Sequence, residues 1–373
     1  MTAGIEALAL AFALTMSLLG PLRRMARSLG WYDRPNGRKG SPGYRRIPRI
    51  GGVAIFLGVG FGLLLTWRAT PGEGPWISAV AIDAGILFAI GLVDDVRGAS
   101  AAVKLVLTAL VGLLAFHQGI GIVHLPGAPG IVLPKLLSLG ATVLWMVGVP
   151  CAINFIDGLD GLAAGLGVIA AAVLGIAAWA AGDAAQCFVC CALAGALTGF
   201  FLHNRHPARI FMGDGGALFV GAMLAVVSMR VLEHKSGSSG SLAVVAALAV
   251  PLFDLVAAVR RRVQRRNLLA SDGDHVHHVL ARAHGHEAAV TALHLCALAA
   301  ALVGTSAIVA GAYTALLVAT ALGLVLFVSA RARHVALALT VTATMASIRT
   351  LVGVRPTRDL RTSSAQADSV DRQ

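Results

Sequence analysis

Charge is what this chain has least of. Only 13% of its 373 residues are Asp, Glu, Lys or Arg, about half the ~25% typical of soluble domains, which excludes a water-soluble fold over most of its length. Acidic residues are scarcest, 18 against 30 basic, so a carboxylate beside an apolar run needs a partner or a task. Aromatics reach only 6% and never interleave with a basic stripe, and no nucleic-acid module is present. The formal +12 charge therefore implies no nucleic acid, and an Arg skirt beside anionic lipid headgroups accounts for it. The five cysteines, Cys151, Cys187, Cys190, Cys191 and Cys296, all fall in apolar stretches. Cys187 and Cys190 have metal-like spacing but no second pair, so they read as small packing residues and no disulfide framework is implied. The first apolar stretch has no basic run before it and no small-residue cleavage site, and is expected to be a retained helix.

What the chain has is apolar length: 57% of its residues are hydrophobic. A spanning helix needs roughly 20 such residues. Apolar windows fall near 3–20, 50–67, 76–93, 102–118, 135–153, 161–181, 186–202, 215–232, 241–259, 288–310 and 312–330, with a weaker one at 335–352. The expected fold is all-α, a polytopic membrane protein of about eleven transmembrane helices. It would form one integral-membrane domain over 1–353, followed by a polar tail, 354–373, expected to be disordered.

Lys and Arg gather in cytoplasmic loops and so set the orientation. The linker after the first window holds Arg23, Arg24, Arg27, Arg34, Arg38, Lys39, Arg45, Arg46 and Arg49. The one after the ninth holds Arg260, Arg261, Arg262, Arg265, Arg266 and Arg282. Arg97, Lys104, Arg205 and Arg209 lie on the same side, whereas the opposite side offers only Arg68, Lys135, Arg230 and Lys235. The amino terminus is expected outside, with linkers after odd-numbered spans cytoplasmic. That orientation uses no acidic residue or His, yet it collects Asp94-Asp95, Asn154 to Asp160, His203 to Asp214 and Asp272 to His278 on the cytoplasmic face. One shared active site follows from that agreement.

Each cluster has a chemical reading and a bland one. Asp157 and Asp160 are three apart, so on helical backbone both would look the same way, and Gly158 and Gly161 leave room for a ligand. Converging carboxylates beside backbone donors suit a hard divalent cation carrying phosphate. Asp94 and Asp95 repel unless a cation neutralises them, or they are a solvated span end. Lys104 would balance that pair, reach a substrate phosphate, or merely anchor its helix. Asp214 would either ligate metal or cap the helix that follows, with Gly213, Gly215 and Gly216 opening the backbone to an anion. Phe211 would stack on a base, or lie at a membrane boundary. His275, His277 and His278 would donate to phosphate oxygens or bind zinc, although no Cys accompanies them. Asp254 lies near enough to the Arg260–Arg266 run to pair with it. Asp83, within an apolar stretch, has no evident role.

Five segments in order, Ile47-Pro48-Arg49-Ile50-Gly51-Gly52, Gly91-Leu92-Val93-Asp94-Asp95, Asn154 to Leu162, Phe211-Met212-Gly213-Asp214 and Asp274-His275-Val276-His277-His278, resemble the polyprenyl-phosphate N-acetylhexosamine-1-phosphate transferases. The resemblance runs from about Arg38 to His284. It implies transfer of a sugar phosphate, N-acetylglucosamine-1-phosphate or a related N-acetylhexosamine-1-phosphate, from a UDP-sugar to a polyprenyl phosphate carrier, releasing UMP. That is the first lipid-linked step of cell-envelope glycan synthesis, at the cytoplasmic face of a bacterial plasma membrane. Carried over by position, Asp94, Asp95, Asp157 and Asp160 are catalytic. Asp214, with Asp94, Asp95 and Asp157, holds Mg2+, for which Mn2+ substitutes. Lys104, Asn154, Asn204, Phe211, His275, His277 and His278 bind substrate, and the His pattern looks like the branch using UDP-N-acetylglucosamine. A homodimer is compatible with the resemblance. Gly215, Thr108 and Gly40 depart from residues common in relatives, which bears on substrate contacts and not on reaction type. The competing class is a cation- or proton-coupled transporter using Asp83, Asp94, Asp95 and Asp254, which requires acidic groups spread through the membrane depth.

Overall fold

The computed structural model describes residues 2–32, 47–234, 237–266 and 274–310. Their apolar stretches fold as helices because lipid leaves the backbone no other hydrogen-bond partner than itself. In chain order these are α1 (Thr2–Ser28), α2 (Gly51–Ala69), α3 (Gly74–Arg97), α4 (Ala101–His117), α5 (Lys135–Ile156), α6 (Leu162–Ala180), α7 (Ala184–Asn204), α8 (Gly213–Glu233), α9 (Gly237–Gln264), α10 (Val276–His284) and α11 (His286–Ala310). Among the described residues, nine helices are long and apolar enough to cross a membrane. The chain is an all-α polytopic membrane protein.

Two details depart from expectation. The fourth window yields only the 17-residue α4, about 25 Å at 1.5 Å per residue, short of the ~30 Å hydrocarbon core. The linker after it folds as an antiparallel ribbon, β1 (His124–Leu125) with β2 (Ala128–Val132), pairing His124 with Val132 and Leu125 with Ala128. Glu233, the last residue of α8, anchors that ribbon. Its carboxylate accepts from the Val123 and His124 amides at 2.7 and 3.1 Å and meets His124 Nδ1 at 2.6 Å. The windows at 312–330 and 335–352, and the expected domain boundary after 353, lie outside the described residues.

α8 is the axis of the bundle, buried on nearly every side. Helices in lipid associate through close packing and interhelical hydrogen bonds, not through hydrophobic exclusion, and both are present here. Phe56 and Phe88 stack with centroids 4.3 Å apart, and Phe219 of α8 meets Phe56 edge-on at 5.3 Å. Trp145 Nε1 of α5 donates to Ser228 Oγ (2.9 Å), and Gln186 Nε2 of α7 donates to the Val227 carbonyl (2.9 Å), so both neighbours are tied to α8. The short turns between helices return the chain alternately. The carboxyl ends of α3, α5, α7 and α9 thereby meet the amino ends of α2, α4, α6, α8 and α10 at one end of the bundle, where the site lies.

Candidate functional site

The turn between α3 and α4 makes the first contact. Gly98 ends α3 at φ +78°, its amide bonding the Asp94 carbonyl, and Ser100 Oγ starts α4 by accepting from the Val103 amide at 3.3 Å. Lys104, one turn into α4, is thereby folded back onto α3. Its Nζ lies 2.6 Å from Asp94 Oδ2 and 2.8 Å from Asp214 Oδ2. Arg49 stands behind, 3.9 Å from Asp214 Oδ1.

Asp95 points elsewhere. Its two oxygens accept from the Asp214 and Gly215 amides, both at 2.9 Å. Those amides belong to the first turn of α8, which has no capping side chain at its own Met212. Asp95 is therefore an N-cap supplied by another helix. Asp214, the second residue of α8, does not cap it, and its carboxylate faces Lys104.

Missing side chains make this approach possible. A Cβ on Gly91 would lie 2.6 Å from both the Asp214 carbonyl carbon and Gly215 Cα, and one on Gly52 would lie 2.5 Å from Gly216 Cα and N. The segment before α2 pairs with the one before α8 in strand-like fashion: Phe211 N to Pro48 O at 2.8 Å, Gly51 N to Phe211 O and Gly52 N to Met212 O at 2.9 Å. Two of the sequence segments thus form one backbone unit around Asp214, and Phe211 presents a half-buried ring beside it.

Asp157 caps the carboxyl end of α5, with Asn154 half-buried on the preceding turn. Burial, and then the charges of Asp214, Asp95 and Asp160, push the Asp157 carboxyl well above its ordinary range against the pull of Arg49. The expectation that Asp157 and Asp160 share a face fails. Residues 157–161 are a turn and not a helix, and Gly161 adopts φ +80°. Asp157 feels the Asp214 charge most among its acidic neighbours, while Asp160 turns to the α7–α8 loop, its Oδ2 taking His206 Nδ1 at 2.9 Å and the Ala208 amide at 3.0 Å.

Asn204, buried to 2% exposure, accepts from Gly161 N and donates to Ile210 O, both at 2.9 Å. Its amide holds the turn against the loop. The histidine segment is fixed through Asp254, which bonds His275 Nδ1 and the Val276 amide, both at 2.8 Å, with His277 Nδ1 3.6 Å away. This corrects the expected pairing of Asp254 with the arginine run: buried among histidines, it takes the nearer donors, and Arg262 lies instead over the Phe155 ring, 4.7 Å from its centroid. His277 and His278 pack against Gly158, where a Cβ would come within 3.0 Å of His278 Cε1. Burial first, then neighbouring His277, His275 and Arg282, push His278 down to about 4.

Asp94, Lys104 and Asp214 therefore meet directly, and Asp157 lies within electrostatic reach of Asp214. Asp95 and Asn204 support the scaffold, and Asp160 faces a different group. Sequence reading gave no site role to Arg49, His206 or His286; only Arg49 carried a signal, its place beside Gly51-Gly52. Asp94 and Asp214 offer carboxylate oxygens of the kind a hard divalent cation takes. They fit a cation, because the Lys104 ammonium already sits between the two. The transporter alternative finds no support. Asp83, about 16 Å along α3 from Asp94 at 1.5 Å per residue, is buried without a hydrogen-bond partner among the described residues.

Residues 77–232 match glycosyl transferase family 4. The chain is 35% identical over 275 residues, covering 72% of it and 74% of the relative, to a probable undecaprenyl-phosphate N-acetylglucosaminyl 1-phosphate transferase of Bacillus subtilis (strain 168). It is 33% identical over 312 residues, 76% of this chain and 77% of the relative, to the decaprenyl-phosphate N-acetylglucosaminephosphotransferase of Mycobacterium tuberculosis (strain CDC 1551 / Oshkosh). Identity is 28% over 282 residues, 73% and 75% of the two chains, to the undecaprenyl-phosphate alpha-N-acetylglucosaminyl 1-phosphate transferase of Escherichia coli (strain K12).

Proposed function

The chain belongs to the polyprenyl-phosphate N-acetylhexosamine-1-phosphate transferases of glycosyl transferase family 4, and from that premise we propose that it moves N-acetylglucosamine-1-phosphate from UDP-N-acetylglucosamine to a polyprenyl phosphate. An oxygen of the lipid phosphate attacks the sugar-bearing phosphorus, the bond to the bridging oxygen breaks, and UMP leaves. The product is the polyprenyl-diphosphate sugar that opens cell-envelope glycan synthesis. The site end of the bundle is placed at the cytoplasmic face of a bacterial plasma membrane, since the excess of Lys and Arg lies there.

The observation that carries this reading is the convergence of Asp94, Lys104 and Asp214 on one point, with Asp157 beside it. Phosphoryl transfer asks a protein mainly for positioning and charge stabilisation. Lys104 is placed to leave a carboxylate for a diphosphate oxygen, and Arg49 supplies a second positive group. Asp95 fixes the start of α8 and so the direction of Asp214; it is a positioning residue. A phosphate monoester has a second pKa of about 6, so the lipid nucleophile is largely ionised at neutral pH and little general-base help is required. Neutral His278 donates or accepts hydrogen bonds and adds no charge. Bound Mg2+, held by Asp94, Asp214 and Asp157, would neutralise charge developing on the diphosphate.

Membranes supplied with polyprenyl phosphate and UDP-N-acetylglucosamine should release UMP, chelator should stop the release, and Asp214→Asn and Asp94→Asn should abolish it at unchanged expression. Full turnover in both variants would refute the assignment, and a panel of UDP-sugars fixes the donor.

A further inference from the structure

Asp160 makes its hydrogen bonds away from Lys104, and its surroundings have a different chemistry. Its carboxylate meets His206 Nδ1 at 2.9 Å, and the His206 and His286 rings lie 4.3 Å apart at 30°. One ligand atom from each of Asp160, His206 and His286 falls within 4.8 Å of the others. His286 Nε2 reaches the Asp160 carbonyl oxygen only at 3.5 Å, beyond the ordinary range of such a bond, so this imidazole is held near the carboxylate without a close partner there. The Ala208 amide fixes the carboxylate from outside at 3.0 Å, as a supporting group does for a metal ligand. The trio opens on a cavity of about 270 Å³ that Glu287 and His294 also line.

We propose that Asp160, His206 and His286 form a second metal site, selective for zinc or a similar borderline transition ion. Two imidazoles and a carboxylate are a three-ligand zinc set that would leave a fourth position for water, and all three residues line the cavity. Nitrogen donors set this site apart from the all-oxygen group around Lys104, which suits a hard cation. Its ligands come from the turn after α5, the α7–α8 loop and the first residue of α11. Binding therefore clasps α11 to the segments that frame the transfer site. The proposal does not rest on the transfer reaction, because binding is read without substrate.

The full chain, purified in detergent and stripped with chelator, is titrated with Zn2+ under excess Mg2+ against a chromophoric chelator, and separately with Co2+ followed by visible absorption. The wild type should take one Zn2+ per chain, give the intense Co2+ bands of a low-coordinate site, and melt at a higher temperature with Zn2+. His286→Gln and His206→Ala should each weaken Zn2+ binding by about a hundredfold, the upper range for disrupted metal surroundings, and lose the melting shift. A monodisperse elution profile shows that each variant is folded, and His286→Gln nearly preserves volume should His206→Ala fail that check. Absence of Zn2+ uptake against Mg2+ by the wild type, or unchanged affinity in a folded variant, overturns the site.

Discussion

Gly91→Ala is a one-methyl change that the geometry makes severe. The new Cβ would lie 2.6 Å from the Asp214 carbonyl carbon and from Gly215 Cα. Both are backbone atoms in the first turn of a helix buried on nearly all sides, so no flexible side chain can absorb the clash. Inserting a methyl into such a contact costs about 1–3 kcal/mol. The strain is relieved by sliding α8 away from α3, which pulls Asp214 off Lys104 and the Asp214 and Gly215 amides off Asp95. Displacing a positioning group by about 1 Å costs on the order of 10²-fold in rate. UMP release should therefore fall about a hundredfold while the protein still purifies with a modestly lowered melting temperature. Gly85→Ala, on the same helix, is the control: its Cβ would meet only Phe56 Cε2 at 4.0 Å, an ordinary contact. Replacing a helical Gly by Ala there removes a penalty of up to ~1 kcal/mol, so activity and stability should hold or rise. Equal turnover in the two variants would refute the claim that the α3–α8 approach sets the site.

Three further outcomes follow from buried partners. Asn204→Asp keeps the acceptor for Gly161 but loses the donor to Ile210, and an unmet buried carbonyl costs about 1–3 kcal/mol; thermal unfolding should show that loss, whereas a rise in KM for the nucleotide at unchanged stability would mean the side chain touches substrate. His278 has its folded pKa lowered to about 4 from an ordinary 6.5. Between those values the unfolded chain binds a proton that the folded chain refuses, so stability should fall as pH drops from 6.5 toward 4, and His278→Gln should flatten the melting-versus-pH curve in that window. Asp183, just before α7, shows the opposite sign. Burial alone would raise it, but hydrogen bonds from His234, the Gln186 amide and Arg230, with the Arg230 charge, hold it down to about 2. Its contribution is full above an ordinary 3.8 and lost as pH falls through about 2, so Asp183→Asn should lower the melting temperature at neutral pH and remove that acid-side decline.

What could be read in the sequence was whatever depends on composition over a window or on short-range order. Apolar length gave the helices, and the uneven Lys and Arg gathered the chemical segments at one end, where Asp94, Lys104 and Asp214 meet. What stayed hidden depends on which backbone approaches which. Nothing in Asp94-Asp95 says that the first carboxylate faces an ammonium while the second caps a helix 119 positions away. Nothing in the spacing of Asp157 and Asp160 says that the helix stops between them; the glycines at 158 and 161 were the available signal, and they argue for a turn as well as for open space. The ribbon at 124–132 was hidden because its anchor, Glu233, lies on the far side of four helices in sequence.

Lys104 connects these points. Its ammonium is the positive charge between Asp94 and Asp214, and in removing it Lys104→Met, of similar length, leaves two carboxylates facing each other with Arg49 3.9 Å from one of them. Like charges so placed either take up a proton or recruit a cation. The variant should therefore bind Mn2+, followed by electron paramagnetic resonance in place of Mg2+, more tightly than the wild type, while its UMP release drops because no ammonium is left to hold the diphosphate. A structural Lys104 would give a different pair of results. Loss of its two ion pairs would lower the melting temperature and weaken Mn2+ binding together, since Asp94 and Asp214 would no longer be held in register. Tighter metal with slower turnover is the combination that only a charge shared between protein and substrate produces.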